Sequence, residues 1–196
     1  MPLFTMKSFE EMFILLFLYL IGVCDCQGPV DAEFVLNFDS PVYVCPDPSS
    51  QAYVDTSAVE VDRYNETTSY MTGTIHFHKG FDSATMVEIM VEREINGQYE
   101  MVISHEICDV CEEFGNEESL YAKYFSYFGF PTTCPFPAGP YEVHDLKADN
   151  DDLPINGASA GRYQVTINLY NNPDSTCKNE KTFLACLKLD FIIEQL

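Results

Sequence analysis

Alternation of apolar and polar residues with a period of two runs through much of this chain and predicts strands with one buried face. In Arg162–Leu169, Tyr163, Val165, Ile167 and Leu169 share one face, opposite Arg162, Gln164, Thr166 and Asn168. Between Phe183 and Ile193, residues Phe183, Ala185, Leu187, Leu189, Phe191 and Ile193 alternate with Cys186, Lys188 and Asp190. The stretch Thr68–His78 sets Met71, Gly73, Ile75 and Phe77 against Tyr70, Thr72, Thr74, His76 and His78. Two further runs, Ala84–Glu94 and Gln98–Ser104, flank Ile95-Asn-Gly97, and Asn-Gly between β-rich runs predicts a hairpin. Short antiparallel strands without repeats or linkers make the expected fold all-β: an immunoglobulin-like antiparallel β-sandwich with one short helix. The helix is expected at Glu117–Phe128, where Leu120, Tyr124 and Phe128 recur four apart with Tyr121 and Phe125 beside them. Gly129 and Pro131 end it.

The first residues follow a different pattern. Lys7 precedes an apolar run, Met12–Val23, that is too short to span a bilayer and suits the core of a signal peptide. Residues 1–26 are therefore expected to be a signal peptide cleaved before Gln27, and residues 27–196 one domain. Export makes the remaining six cysteines, Cys45, Cys108, Cys111, Cys134, Cys177 and Cys186, a disulfide framework of three bonds whose pairing the spacing leaves open. With 31 acidic and 10 basic residues the net charge is −21, which repels nucleic acid and anionic membranes. At most transient membrane contact is expected, and an acidic lumen would weaken that repulsion.

Candidate chemistry is sparse. Gly157-Ala-Ser159-Ala-Gly161 has the spacing of a nucleophile elbow, but the elbow needs a strand before its serine and a helix after it. Here a proline-containing loop precedes and a strand is expected to follow, so a small-residue loop is the better reading. His76 and His78 share one strand face, yet a tetrahedral metal site needs three or four ligands, with His105 or His144 to complete it. Surface histidines, with at most a pH-dependent charge, account for the pair. Cys108-Asp-Val-Cys111 has redox spacing without the βαβ context of a thioredoxin-like fold. The run Asp149–Asp152 lacks the glycine and distal glutamate of a calcium loop. No metal, cofactor or enzymatic activity is expected. Asn65-Glu-Thr67 is a sequon for N-glycosylation.

The middle of the chain carries a more specific order of features. Cys108-Asp-Val110 precedes the aromatic segment, Cys134-Pro-Phe136 opens a stretch containing Gly139 and Tyr141, Leu153-Pro154 follows, then Gly161 and Tyr163, and finally Leu184-Ala-Cys-Leu-Lys-Leu189. This order resembles the MD-2-related lipid-recognition (ML) family, and within it the GM2-activator-like branch. The resemblance runs from about Val59 to Ile193, although two cysteines that the branch carries near its helix are missing. It implies a secreted or endomembrane-lumenal, including lysosomal, lipid carrier that presents its ligand to a lipid-processing enzyme or receptor. It also implies the disulfides Cys108–Cys134 and Cys45–Cys186, and with them Cys111–Cys177.

Sheets that splay apart would leave their apolar faces lining a cavity rather than filling a core. The candidate lining residues are Ile75, Phe77, Val87, Ile89, Val91, Ile103, Val165, Ile167, Leu189 and Phe191, with Tyr124, Phe125, Phe128, Phe130 and Phe136 at the mouth. Alternation looks the same for a hollow and a filled sandwich, and close packing favours the filled one. The resemblance reverses that preference. The alternative function is an extracellular protein-interaction module with a filled core.

Overall fold

The computed structural model describes residues 33–65, 67–114, 116, 118–119, 125–147, 155–174, 176–178 and 180–196. The expected signal peptide, Tyr124 and the rest of 120–124 within the helix expected at Glu117–Phe128, the acidic run Asp149–Asp152 and Leu153-Pro154 lie outside the described residues.

Among the described residues, nine strands form two antiparallel sheets. They are β1 (Phe34–Phe38), β2 (Tyr43–Val44), β3 (Val54–Arg63), β4 (Ser69–Phe77), β5 (Thr85–Ile95), β6 (Gln98–Ile107), β7 (Gly139–Lys147), β8 (Gly161–Asn171) and β9 (Thr182–Gln195). The larger sheet has the order β1-β9-β8-β5-β6, with β2 also pairing β9; the smaller is β3-β4-β7. The expected all-β sandwich is therefore the observed one. Its main core joins Met71, Ile75 and Phe77 of β4 to Val87 of β5, Leu169 of β8 and Leu187 of β9. The hairpin expected at Asn96-Gly97 joins β5 to β6, with φ of 54° and 79° at its two turn residues. Asn and Gly are the residues that adopt such positive φ pairs readily, and their twist matches that of the strands.

Two short helices stand where periodicity gave no signal. Helix α1 (Pro48–Tyr53) starts at Asp47, whose side chain accepts the Ser50 N–H at 2.9 Å, and has proline in its first turn. Both features satisfy or remove the unpaired donors of a helix start. Helix α2 (Val110–Phe114) follows β6 directly and buries Val110. Of the helix expected at Glu117–Phe128, only Phe125 and Ser126 are described as helical, and residues 127–129 form a turn.

Bulges redirect several side chains. Between β8 and β9 the register shifts after Leu169↔Ala185, so that Tyr170 faces Phe183. Phe183 accordingly leaves the face it was expected to share with Ala185 and packs edge-on against Tyr170, ring centroids 5.9 Å apart. In β4, Gly73 has φ of 121°, and a Cβ there would lie 2.1 Å from the Ala58 carbonyl oxygen. Glycine is required where β3 and β4 approach this closely.

Three disulfides staple the sandwich: Cys45–Cys186, Cys108–Cys177 and Cys111–Cys134. The first was expected; the other two correct the pairings Cys108–Cys134 and Cys111–Cys177. The reason is local. Cys108 directly follows β6 beside the β8–β9 connection, where Cys177 comes within 5.1 Å between Cα atoms. Cys111, three residues on and inside α2, faces the turn before β7 instead, with Cys134 5.6 Å away. The two cysteines of the C-x-x-C run thus serve different bonds rather than one redox pair.

Candidate functional site

A cavity of about 150 Å³ lies between the sheets, lined without a break by apolar side-chain surface. Ile75 and Phe77 of β4 form its small-sheet wall; Val87, Ile89, Ile167 and Leu187 form the facing wall on β5, β8 and β9. Cross-strand register explains that wall, because Ile89 pairs with Ile167 and Ile167 with Leu187, which places three branched side chains in one row. Alternation then repeats the row two residues along.

Aromatic rings close one end. Phe81 and Phe136 belong to segments joined by a pair of backbone hydrogen bonds of 3.0 and 2.8 Å, and their rings lie 5.1 Å apart. Phe77 meets Phe81 edge-on at 5.0 Å, and Phe130 meets Tyr141 at 4.9 Å. Phe114 of α2 stacks on Phe125 at 3.8 Å. Together with Phe128, these rings form a cover built from α2 and the 125–136 segment. Two devices hold it down: the Cys111–Cys134 disulfide, and the His144 N–H of β7, which donates to the Tyr127 carbonyl at 2.7 Å. Tyr141 orders the same region through its hydroxyl, which donates to the Pro137 carbonyl at 2.6 Å, and burial pushes its phenol pKa up.

Of the residues expected to line a cavity, Ile75, Phe77, Val87, Ile89, Phe125, Phe128, Phe130 and Ile167 do so. Tyr124 lies outside the described residues, and the remaining ones fall elsewhere for identifiable reasons. Val91 and Phe191 belong to a second apolar cluster with Leu36, Tyr163 and Ile193, where Phe191 stacks on Tyr163 at 5.0 Å and fills that end of the sandwich. Val165 pairs with Val91, just outside the cavity row, and Leu189 packs against the core without lining the void. Ile103 is 56% exposed, because β6 is a sheet edge. Phe136 is 1% exposed and backs the cover from behind Phe81 and Phe114. Alternation missed Val42, Phe81, Thr85, Ile107, Val110, Phe114, Leu169 and Leu187 as lining residues. Leu169 and Leu187 lay on the right faces; Phe81, Val110 and Phe114 sit outside strands, where a period of two says nothing.

The remaining candidate groups are structural in their geometry. The Ser159 hydroxyl donates to the Asn156 carbonyl at 2.8 Å and accepts the Asn156 N–H at 2.8 Å, which closes a turn that leads into β8 rather than a helix. Arg93 seals the same loop, donating to the carbonyl of Ala158 at 2.9 Å and to that of Ala160. His76, near the end of β4, and His78, just past it, sit side by side with Nδ1 atoms 3.2 Å apart. His105 and His144 lie on β6 and β7, and among the described residues no group of three or more His, Cys, Asp or Glu is placed to hold a metal ion. Among the described residues, too, no helix is long and apolar enough to cross a membrane.

Comparison with known proteins adds one family. The family described as "Protein of unknown function (DUF1091)" matches residues 87–165, from β5 into β8, and it stands in the ML-like group. No curated protein matches the chain. Among solved structures, the C-terminal domain of wzt aligns over 83% of this chain and 77% of its own, with 10% identity and a TM-score of 0.29, too low for any argument about this chain.

Proposed function

We propose that this chain is a secreted lipid-binding protein of the ML type, akin to the GM2-activator-like branch, which holds the apolar tail of a lipid between its sheets. It passes that lipid to an enzyme or receptor and carries out no chemistry itself. The observation that carries this reading is the cavity, whose lining offers a ligand no polar partner. Such a void is a good solvent for hydrocarbon and a poor one for a head group, which must stay outside. About 0.8 kcal/mol per buried methylene is enough to hold a tail without any directed contact. A void of 150 Å³ matches one that accepts a benzene-sized guest, smaller than the pockets of drug-sized ligands. A long tail therefore enters by displacing the half-buried rings of Phe114, Phe125, Phe128 and Phe130. Three disulfides suit an oxidising, extracellular or lumenal setting, and one of them, Cys111–Cys134, ties that cover down.

Uptake of a fluorescent fatty-acid probe tests the proposal. The secreted protein should bind it saturably, and Phe128→Asp should weaken loading at least tenfold while the melting transition is retained. A folded wild-type protein that takes up neither fatty-acid nor sterol probes would defeat it. One observation favours the second reading, an interaction module. Ile95, Tyr99, Met101, Val102 and Ile103 are exposed together on the β5–β6 hairpin at a sheet edge. Exposed apolar side chains along a sheet edge offer a partner protein a place to dock.

A further inference from the structure

The β3–β4 turn carries Asn65-Glu66-Thr67, which the cavity leaves unused. The chain reverses there through the Tyr64 N–H, which donates to the Thr68 carbonyl at 2.9 Å. Asn65 is exposed, and Tyr64 beside it is 79% exposed. Asn65 Oδ1 accepts two hydrogen bonds from Thr67, the backbone N–H at 2.8 Å and the hydroxyl at 2.9 Å. These bonds close an Asx turn and settle the amide's orientation, since only the oxygen can accept. They commit Oδ1 to Thr67 and leave Nδ2 as the end of the exposed carboxamide that can be modified.

We propose that Asn65 is a site of N-glycosylation. In the transfer, Nδ2 forms a bond to the anomeric carbon of a glycan carried on a polyprenyl diphosphate. The bond from that carbon to the diphosphate oxygen breaks with its electron pair on the leaving group, and the proton that the amide gives up passes to solvent, releasing polyprenyl diphosphate. The donor belongs to the secretory lumen, the same oxidising setting that the three disulfides require. The inference rests on export and not on the lipid reading. Position gives the glycan a second property. Ile75, the cavity residue of β4 nearest to the turn, is six residues beyond Ser69, about 20 Å along the strand. The glycan thus covers the pole of the sandwich remote from the aromatic cover, shielding Tyr64 and leaving ligand entry open.

The test uses the full chain secreted from a eukaryotic host, with peptide mapping before and after peptide-N-glycosidase F in heavy-oxygen water. The expected result is a mass excess that the enzyme removes, converting Asn65 to labelled Asp. Asn65→Gln and Thr67→Val abolish the excess, whereas Thr67→Ser keeps it. Secreted protein with all three disulfides formed but an unmodified Asn65 would overturn the proposal. So would an excess that survives Asn65→Gln. Enzymatic removal of the glycan should leave fatty-acid probe binding unchanged; a change in affinity would refute the remote placement. A glycosylated protein that never binds a probe would sink the lipid reading and leave this one standing.

Discussion

Replacing Ile167 with tryptophan should plug the cavity from its large-sheet wall. Ile167 sits at the middle of the row formed with Ile89 and Leu187, its side chain only partly buried because the void lies beside it. The void of about 150 Å³ is of the size that accepts benzene, so a ring placed there excludes roughly six carbons of a tail. At about 0.8 kcal/mol per methylene, the lost burial is about 5 kcal/mol, or roughly a few thousandfold in Kd. An aromatic residue suits a strand, and the added atoms enter empty space, so folding stability should change by less than about 1.5 kcal/mol rather than fall steeply. Displacement of a fluorescent fatty-acid probe measures the first quantity and urea unfolding the second. A folded Ile167→Trp protein that still binds the probe within a few-fold of wild type would refute the claim that this void is the binding site.

The disulfide framework predicts that non-reducing peptide maps contain Cys108–Cys177 and Cys111–Cys134, and that the double variant Cys111→Ser/Cys134→Ser loses about 3 kcal/mol, as expected for a closed loop of 23 residues. Because this bond holds the aromatic cover, the same variant should release a loaded probe faster. Ser50→Ala should cost about 1–3 kcal/mol in chemical denaturation, since the buried Ser50 hydroxyl accepts the Cys186 N–H at 2.7 Å and donates to the Asp47 carboxylate. Burial, and then the Asp190 carboxylate, push the Tyr43 phenol from 10.0 up to about 12. The unfolded chain therefore releases this proton at lower pH than the folded one, so Tyr43 favours the fold fully below pH 10 and loses its contribution as pH rises toward 12. Unfolding measured across that interval should show a shallower decline in Tyr43→Phe; an identical slope would contradict the assignment.

What the sequence disclosed followed from periodicity. The inward faces of β4 and β8 could be read because apolar residues recur at every second position along them, as with Met71, Ile75 and Phe77. The hairpin was equally legible, because Asn96-Gly97 leaves few other backbone choices. Helix α1 carried its own signal in Asp47-Pro48, a capping residue followed by a proline suited to the first turn, yet six residues are too few for a hydrophobic period to show. Bulges were invisible: the shift after Leu169 turns Phe183 outward without any change in pattern. Register also decided which of the inward residues line a void. Val91 and Phe191 alternate as correctly as Ile89 and Leu187, but they lie at the end that Tyr163 fills. The aromatic cover, finally, depends on Phe81, Phe114 and Phe136, which long-range pairing brings together from three separate segments.

The central claim is that the space between the sheets holds hydrocarbon. Native mass spectrometry of the secreted protein, followed by solvent extraction and lipid analysis, addresses it without choosing a probe in advance. The account predicts a bound species near one per chain that is extractable as a lipid and is lost in Ile167→Trp. Protein that flies empty, and stays empty after incubation with mixed lipid micelles, would contradict it.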